Sequence, residues 1–276
     1  MRAYERLLNY VKVWTTSDEE STTSPTTARQ FDLAKQLVEE MKGMGIEDAM
    51  MDEYGYVYGH IPATPGYENC TAIGFLAHMD TAPDYSGENV NPQIIENYDG
   101  KDVVLGTSGR TLTVKDFPSL KNMTGKTLIT TDGTTLLGAD DKAGIAEIMT
   151  VAEELLKGDI PHGNVCLAFT TDEEVGSGAC HMDLERFGAP YAYTVDGGPE
   201  GEIQFENFNA ASAEFAIHGV NVHPGEAKDI MVNSMKIAME LQGMLPEQEA
   251  PEHTEGYEGF FHLMEMNGSV DELSDP

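Results

Sequence analysis

The sequence predicts an α/β fold, in which a sheet domain is followed by a second, smaller α+β domain. Short apolar segments alternate with amphipathic helical patterns over most of the chain, which is typical of a sheet flanked by helices. After Asp196-Gly-Gly this alternation changes to a strand, a turn, one long helix and a further strand. We therefore expect two domains, covering residues 1–207 and 208–276.

The elements of the first domain follow from the spacing of its apolar residues. Helices are expected over residues 1–10, 27–43 and 142–156, and strands over residues 72–77, 165–169 and 191–195. The stretch between Asp80 and Asp140 is rich in Gly, Asn, Asp and Pro, which predicts loops with short hairpin strands.

In the second domain the pattern predicts a strand over 212–218 and a turn at His223-Pro-Gly. A helix over 226–243 and a strand over 259–264 follow. One helix and two or three strands are too few to cover both faces of a sheet, so we expect this domain to be partial.

The composition is strongly acidic and excludes several classes of partner. Lys and Arg total 16 against 48 Asp and Glu, a formal charge of −32. Phosphate backbones and anionic membrane surfaces are repelled by such a chain, so nucleic acid and membranes are not expected as partners. The N-terminal residues lack a signal-peptide pattern, and no apolar stretch reaches the roughly 20 residues that span a bilayer. We expect a folded cytoplasmic protein.

The three cysteines do not suggest a metal or disulfide framework. Cys70, Cys166 and Cys180 are widely spaced and form no CxxC pair. We expect reduced structural thiols.

The first polar cluster follows the strand expected over 72–77. His78 and Asp80 are two residues apart, so they share one side of an extended segment. A metal-bound imidazole usually donates its second N–H to a carboxylate, a role that Asp80 could fill for His78. Taken alone, a histidine such as His78 is more often a hydrogen-bonded core residue than a ligand.

The second cluster, Asp140-Asp141, lies where a loop meets the helix over 142–156. Asp141 could be the N-cap, because its side chain can accept the first free N–H groups of that helix. Asp140 then has a carboxylate able to bridge two cations. An ordinary charged helix start is the alternative for either residue.

The third cluster, Glu173-Glu174, follows the strand over 165–169 and precedes a glycine turn. Successive side chains of an extended segment point to opposite sides, so the two glutamates should have different roles. One suits a metal, and the other a water whose pKa a nearby cation lowers and whose proton the carboxylate can take. A solvated acidic surface is the alternative.

The fourth cluster is Asp196, which ends the strand over 191–195 and could instead form an Asp-Gly turn. All four clusters follow strands or begin a helix, where open α/β sheets place their ligand crevices. One histidine and several carboxylates fit zinc, manganese or cobalt better than a thiolate site would.

At these residues the sequence resembles the M20 family of metallopeptidases. The resemblance runs almost end to end, and the segments that carry it are Thr22–Thr27, His78–Thr81, Thr130–Gly144, Asp172–Gly176, Glu206–Ala211, Val222–Gly225, Met231–Asn233 and Glu255–Phe260. The segments after Asp196 resemble one branch of this family in particular, the branch that acts on tripeptides.

The resemblance implies a zinc-peptidase-like catalytic domain, with a central mixed sheet flanked by helices, over residues 1–207. It implies two divalent metal ions, zinc first and cobalt or manganese otherwise, with the ligands His78, Asp140, Glu174 and Asp196. Asp140 would bridge the metals, Asp80 would orient His78 and Glu173 would be the general base. His223 would contact the substrate, with a turn histidine as the alternative. Tripeptides would be the substrates, and the small domain could form a homodimer.

Family members also carry a further histidine ligand, in a C-terminal return to the catalytic domain. No counterpart follows His262 in this sequence. We therefore expect the second metal site, as written, to rely on Asp140, Glu174 and solvent, to bind metal weakly and to leave the fold unstable.

Two other functions stay open at this point. A related M20 dipeptidase or N-acyl-amino-acid deacylase would use the same metals. A truncated, non-catalytic metal-binding fragment is the non-enzyme alternative.

Overall fold

The computed structural model describes residues 1–273 of the 276-residue chain. It divides into two compact units, Met1–Ile203 and Gln204–Pro276. The predicted domain boundary at 207/208 lies a few residues further along the chain and stays a prediction. Across the described residues no helix is both long enough and apolar enough to cross a bilayer.

The first unit contains four helices among its described residues. They are α1 Ala3–Tyr10, α2 Gln30–Met44, α3 Ala139–Leu156 and α4 Leu184–Phe187. A 3₁₀ helix covers Pro118–Met123. Its strands are β1 Met50–Met51, β2 Val57–Ile61, β3 Ile73–His78, β4 Pro92–Ile95, β5 Val103–Val104, β6 Thr111–Leu112, β7 Leu128–Thr131, β8 Val165–Thr170 and β9 Ala192–Thr194.

The central sheet has five strands in the order β1-β2-β8-β3-β9. β8, β3 and β9 are parallel, with His78 paired to Thr170 in the register of β3 and β8. β2 runs antiparallel to β8, and β1 antiparallel to β2. The predicted α/β class with a mixed sheet and flanking helices is therefore confirmed, and the carboxyl ends of β3, β8 and β9 lie at one edge.

The core forms where the helices pack on this sheet. β8 is buried along its whole length, which fits its unbroken apolar sequence. α3 contributes Ile145, Ile148 and Met149 to the main cluster, and α2 contributes Leu33, Leu37 and Met41 at helical spacing. Burial of these two faces packs both helices against the sheet.

The sequence prediction missed β1 and β2. The segment Met50–Ile61 contains two glycines and no unbroken apolar run, a pattern that favours a turn over a strand despite its tyrosines. Its strand conformation comes from pairing with β8, where Val57 to Ile61 match Phe169 to Val165. The insertion between Asp80 and Asp140 is folded as expected, with short strand pairs β4-β7 and β5-β6.

The second unit contains strands β10 Ile217–His218 and β11 Glu272–Leu273, which pair antiparallel, and helix α5 Ser234–Met244. Two 3₁₀ turns cover Pro224–Glu226 and Glu247–Glu249. This is a small α+β arrangement, as predicted.

Three element predictions in this unit are wrong in extent. The strand over 212–218 is reduced to Ile217–His218, because only these residues find a partner strand among those described. The strand over 259–264 is absent from the described residues for the same reason. The helix expected from residue 226 begins at Ser234: a bridge between Val220 and Val232 holds the preceding backbone extended, and the Asn233 side chain caps the N–H of Lys236.

Candidate metal centre

Three parallel strand ends and one helix start meet at the same edge of the sheet. His78 is the last residue of β3, Glu173 and Glu174 follow the end of β8, and Asp196 follows the end of β9. Asp140 lies in the first turn of α3. The sheet topology therefore brings together all four clusters that the sequence singled out.

The imidazole of His78 is the centre of the arrangement. Its Nε2 lies 2.9 Å from Oδ1 of Asp140, 3.7 Å from Oε2 of Glu173 and 3.7 Å from Oδ2 of Asp196. The side chain of His78 is 2% exposed and that of Asp140 is 71% exposed. A buried imidazole thus faces solvent-accessible carboxylates across a short gap.

Two groups of side chains have the spacing of metal ligands. Donor atoms of His78, Glu173 and Asp196 lie within 4.8 Å of one another, and so do those of His78, Asp140 and Glu174. Each group takes one of the two neighbouring glutamates, so the two carboxylates face different sets of donor atoms. Distance alone does not separate a ligand from a base here, so the individual roles stay predictions.

Asp80 connects two of the strand ends. The Nδ1 atom of His78 lies 3.1 Å from the Asp80 carbonyl oxygen and 3.4 Å from its Oδ1. The buried Asp80 carboxylate also accepts the backbone N–H groups of Glu173, at 3.0 Å, and Glu174, at 3.1 Å. The same carboxylate therefore holds both the histidine and the glutamate pair.

Asp141 plays a part that the sequence left open. Its Oδ1 accepts the backbone N–H of Gly144 at 3.1 Å, as an N-cap does. Its Oδ2 accepts the backbone N–H of His78 at 3.2 Å. The backbone of Asp140 and Asp141 is non-helical, so the regular helix starts at Lys142. Burial raises the pKa of Asp141 to about 8, although His78 lowers it, and the charge of Asp196 raises it further.

The charges of the centre repel one another when no cation is present. Burial raises the pKa of Glu173, Glu174 and Asp196, and Asp140 raises each of the three further. Burial lowers the pKa of His78, but the hydrogen bond and charge of Asp80, with the charges of Asp141 and Glu173, outweigh it and raise that pKa to about 10. A divalent cation would relieve this repulsion, and one imidazole with several carboxylates is a donor set that fits one.

Sequence reasoning missed three polar residues around the centre. Lys142 is buried, donates from Nζ to the Val13 carbonyl oxygen at 2.8 Å, and has its pKa lowered to about 7 by burial, with Asp80 raising it in part. Gln30 and Asp172 are also buried and hydrogen-bond to each other. For Asp172, the sequence signal was its position beside Glu173. No pattern in the sequence indicated Gln30, and the charge of Lys142 favoured an exposed position.

His223, the predicted substrate contact, lies in the second unit. It is exposed at the start of the 3₁₀ turn, where its Nδ1 accepts the N–H of Gly225 at 3.1 Å. This is the turn position that the sequence offered as the alternative, and the role in substrate binding stays a prediction.

Comparison with known proteins bears on this arrangement of strand-end carboxylates. The chain is 58% identical over 270 residues to the peptidase T of Geobacillus thermodenitrificans, covering 97% of this chain and 66% of the relative. It is 56% identical over 273 residues to the peptidase T of Halothermothrix orenii, covering 98% of this chain and 67% of the relative. Residues 205–274 match the M20 peptidase dimerisation domain.

This chain belongs to the peptidase T family of M20 metallopeptidases. The family resemblance inferred from the sequence is thus confirmed, and metal dependence is a property of M20 peptidases. The chain spans 66% of the length of the Geobacillus thermodenitrificans peptidase T.

Solved structures show the same fold. The aminopeptidase PepT of Bacillus cereus has a TM-score of 0.61 at 21% identity, covering 99% of this chain and 63% of that one. A tripeptidase of Staphylococcus aureus has a TM-score of 0.62 at 20% identity, with the same coverage of 99% and 63%. This likeness supports the α/β fold assigned to the peptidase T family member described here.

Proposed function

We propose that this chain carries the catalytic metal centre of an aminopeptidase that releases the N-terminal residue from tripeptides. The observation that carries the proposal is the convergence of His78 with the carboxylates of Asp140, Glu173, Glu174 and Asp196 at one sheet edge. The relatives named peptidase T support a peptidase, and the similarity to the tripeptidase of Staphylococcus aureus supports the choice of substrate.

The ligand assignment follows the prediction from the sequence. His78 and Asp196 would hold one divalent ion, Glu174 the other, and Asp140 both. Zinc is our first choice, with cobalt or manganese as alternatives, because imidazole and carboxylate donors suit all three. When bound, such ions act as Lewis acids that polarise the scissile carbonyl and lower the pKa of the attacking water.

Glu173 is proposed as the general base. Its side chain is half exposed, so it can reach both water and substrate, while the bond from its N–H to Asp80 fixes its backbone. Burial and the charges of Asp196, Asp80 and Asp140 raise its pKa, which makes the carboxylate a better proton acceptor. It would take a proton from the attacking water and give one to the leaving amine.

His78 and Asp80 keep this constellation in place. Asp80 lies against Nδ1 of His78, which leaves Nε2 to face the carboxylates. Because Asp80 also accepts both glutamate N–H groups, we propose that it orients the histidine and the base together.

The second unit is proposed to contact the substrate and to form the homodimer. The Gly225 N–H bond occupies Nδ1 of His223, which leaves Nε2–H free to donate to a substrate oxygen. The match of residues 205–274 to a dimerisation domain supports a homodimer through this unit, which sedimentation of the purified chain would test.

The test is hydrolysis by the 276-residue chain with added zinc or cobalt. We expect turnover of free-amine tripeptides, and a loss of about 10²–10⁴-fold in kcat for Glu173→Gln, the usual contribution of a general base. Glu185→Gln, an exposed glutamate on α4, is the matched control and should keep full activity. Turnover of N-acylated amino acids with none of tripeptides would contradict the proposed substrate, and the absence of any hydrolysis would contradict the enzyme assignment.

A further inference from the structure

The turn that carries Glu173 and Glu174 is held from behind by a buried carboxylate. Asp172 is 2% exposed and has a φ of +58°, a backbone conformation that is uncommon for a residue other than glycine. This conformation turns the chain as it leaves β8, so that the next two N–H groups reach Asp80. The orientation of both glutamates therefore depends on what keeps Asp172 in place.

Asp172 is fixed by the segment that leads into α2. Its carboxylate accepts the backbone N–H of Thr26 at 2.9 Å and the hydroxyl of Thr26 at 2.6 Å. It also accepts Nε2–H of Gln30 at 2.6 Å. The backbone N–H of Asp172 donates in return to Oε1 of Gln30 at 3.1 Å.

Gln30 therefore closes a two-way bridge onto Asp172. The side-chain amide is fully buried and uses both its oxygen and its nitrogen on the same residue. A glutamate at this position could still accept the Asp172 N–H, but it would place a second carboxylate against the first. An amide is the side chain of this length that satisfies both hydrogen bonds at once.

The same segment also reaches the end of β3. Nε2 of Gln30 lies 3.3 Å from the hydroxyl of Thr27, which donates to the carbonyl oxygen of Thr16 at 2.8 Å. Thr16 in turn forms a parallel bridge with Thr81, the residue after Asp80, and their hydroxyl oxygens are 3.1 Å apart. Thus residues 16–30 join the turn that holds Asp80 to the turn that holds the glutamates.

We propose that Gln30 is a positioning residue of this metal centre, acting through Asp172 on Glu173 and Glu174. It touches no donor atom of the centre. The inference rests on the proposed function for its kinetic readout, while its metal-binding readout does not need turnover.

The test exchanges the amide and the carboxylate between positions 30 and 172. Gln30→Glu sets two carboxylates against each other. Asp172→Asn places an amide nitrogen either at the position of Oδ1, against Nε2 of Gln30 and the Thr26 hydroxyl, or at that of Oδ2, against the backbone N–H of Thr26. In the double variant Q30E/D172N, the introduced carboxylate accepts both the side-chain N–H of the introduced amide and the backbone N–H of position 172, so both bonds form again. The oxygen of the introduced amide still accepts the backbone N–H of Thr26, whereas the Thr26 hydroxyl, which shares Oδ1 of Asp172 with Gln30, loses this acceptor.

Three measurements are made on each variant: kcat and KM for a tripeptide, cobalt affinity from its visible absorption, and the thermal unfolding midpoint. We expect Q30E and D172N each to lose about 100-fold in kcat with KM within about threefold, the size of effect that a displacement of about 1 Å has on catalysis. The cobalt spectrum should change in both. The double variant should regain at least about tenfold in kcat, with a cobalt spectrum like that of the unchanged chain.

Two further variants keep the test decisive. Gln36→Glu makes the same change six residues along α2 and should leave all three measurements unchanged. Thr26→Val removes the hydroxyl bond to Asp172, and with it the bond that this hydroxyl accepts from the N–H of Asp18, with little change in shape. It gives a milder loss if Q30E fails to fold.

The inference is overturned if Q30E keeps the kcat and cobalt spectrum of the unchanged chain. It is also overturned if Q30E/D172N regains the unfolding midpoint but neither kcat nor the spectrum, because Gln30 would then serve stability alone. If the unchanged chain hydrolyses no peptide, the proposed function fails, and the cobalt spectra of the variants still decide the inference.

Discussion

Gly144 in α3 packs directly against the carbonyl oxygen of Val195, the residue before Asp196. A Cβ added to Gly144 would lie 1.8 Å from that oxygen and 2.4 Å from Oδ1 of Asp141. Only a residue without a side chain lets the start of α3 approach the end of β9 this closely. This contact therefore brings the start of α3, which carries Asp140, close to the strand end that precedes Asp196.

Gly144→Ala should damage both the fold and the metal centre. Overpacking at a closely packed position costs about 1–3 kcal/mol, and the clash must move α3 or the end of β9. We expect a lower free energy of unfolding and weaker binding of cobalt or zinc. Denaturant unfolding and calorimetric titration would measure the two effects.

Gly43→Ala is the matched control, because Gly43 also lies in a helix but an added Cβ meets nothing within 4 Å. This variant should be as stable as the unchanged chain or about 0.5–1 kcal/mol more stable. A Gly144→Ala protein with unchanged stability and metal affinity would show that the close approach does not matter.

Metal binding should release a proton from His78. Its pKa of about 10 in the metal-free chain lies above the unfolded value near 6.5, so the imidazole is charged at neutral pH and must lose its proton to bind a metal. Affinity should therefore rise by about tenfold per pH unit from pH 7 towards 9. Calorimetry in buffers of different ionisation enthalpy counts the protons released.

The same pKa shift determines how the stability of the metal-free fold changes with pH. Because the folded pKa of His78 is the higher one, its contribution is complete below about pH 6.5 and is lost as the pH rises through about 10. A metal affinity that does not change between pH 7 and 9 would contradict a charged His78.

Asp80→Asn should loosen the turn that carries the two glutamates. An asparagine keeps one acceptor but turns an NH₂ group towards an N–H that the carboxylate now satisfies. A buried donor left unpaired costs about 1–3 kcal/mol, and kcat should fall as well. Asp183→Asn is the control: Asp183 is a helix N-cap, a position where Asn serves equally well. Equal effects of the two substitutions on kcat and on the unfolding midpoint would contradict the role given to Asp80.

Glu153 should stabilise the fold at neutral pH, and lose this effect in acid, because it binds the N-terminal ammonium and Arg6. Hydrogen bonds from the N-terminal ammonium, at 2.7 Å, and from Arg6, at 2.6 Å, lower its pKa to about 2. A depressed carboxyl pKa stabilises the fold above the unfolded value near 4.3 and loses that effect as the pH falls through about 2. Glu153→Gln should thus lower the unfolding midpoint at pH 7, and the difference from the unchanged chain should shrink below about pH 4.

Glu154→Gln provides the comparison for this prediction, because Glu154 is the neighbouring residue and pairs with Lys157 on the surface of α3. Surface pairs of this kind contribute little, so its unfolding midpoint should stay close to that of the unchanged chain. A pH-independent difference for Glu153→Gln would indicate a packing effect in place of a charge effect.

Much of the fold could be predicted because local pattern and burial agree. β3 and β8 are apolar runs of strand length, and α3 carries its buried residues at helical spacing, so none of the three needs a distant partner to be identified. β2 and the extent of the strand expected over 212–218 were misjudged, because strand conformation there depends on a pairing partner far away in sequence.

The candidate centre divides in the same way. The sequence by itself predicted that His78, Asp80, Asp140, Glu173, Glu174 and Asp196 would lie together, because strand ends in parallel sheets share an edge and these side chains follow strands or begin a helix. It also determined the family, through motifs that the comparison with peptidase T confirmed.

Only the tertiary structure decided how these side chains are held. The bridge from Gln30 to Asp172 joins residues 142 positions apart, and the contact of Gly144 with Val195 joins a helix to a strand end. Neither leaves a local signal, because a buried amide and a helical glycine fit many folds equally well. Local spacing specifies which groups are available, whereas long-range packing sets the distances between them, and those distances determine the chemistry.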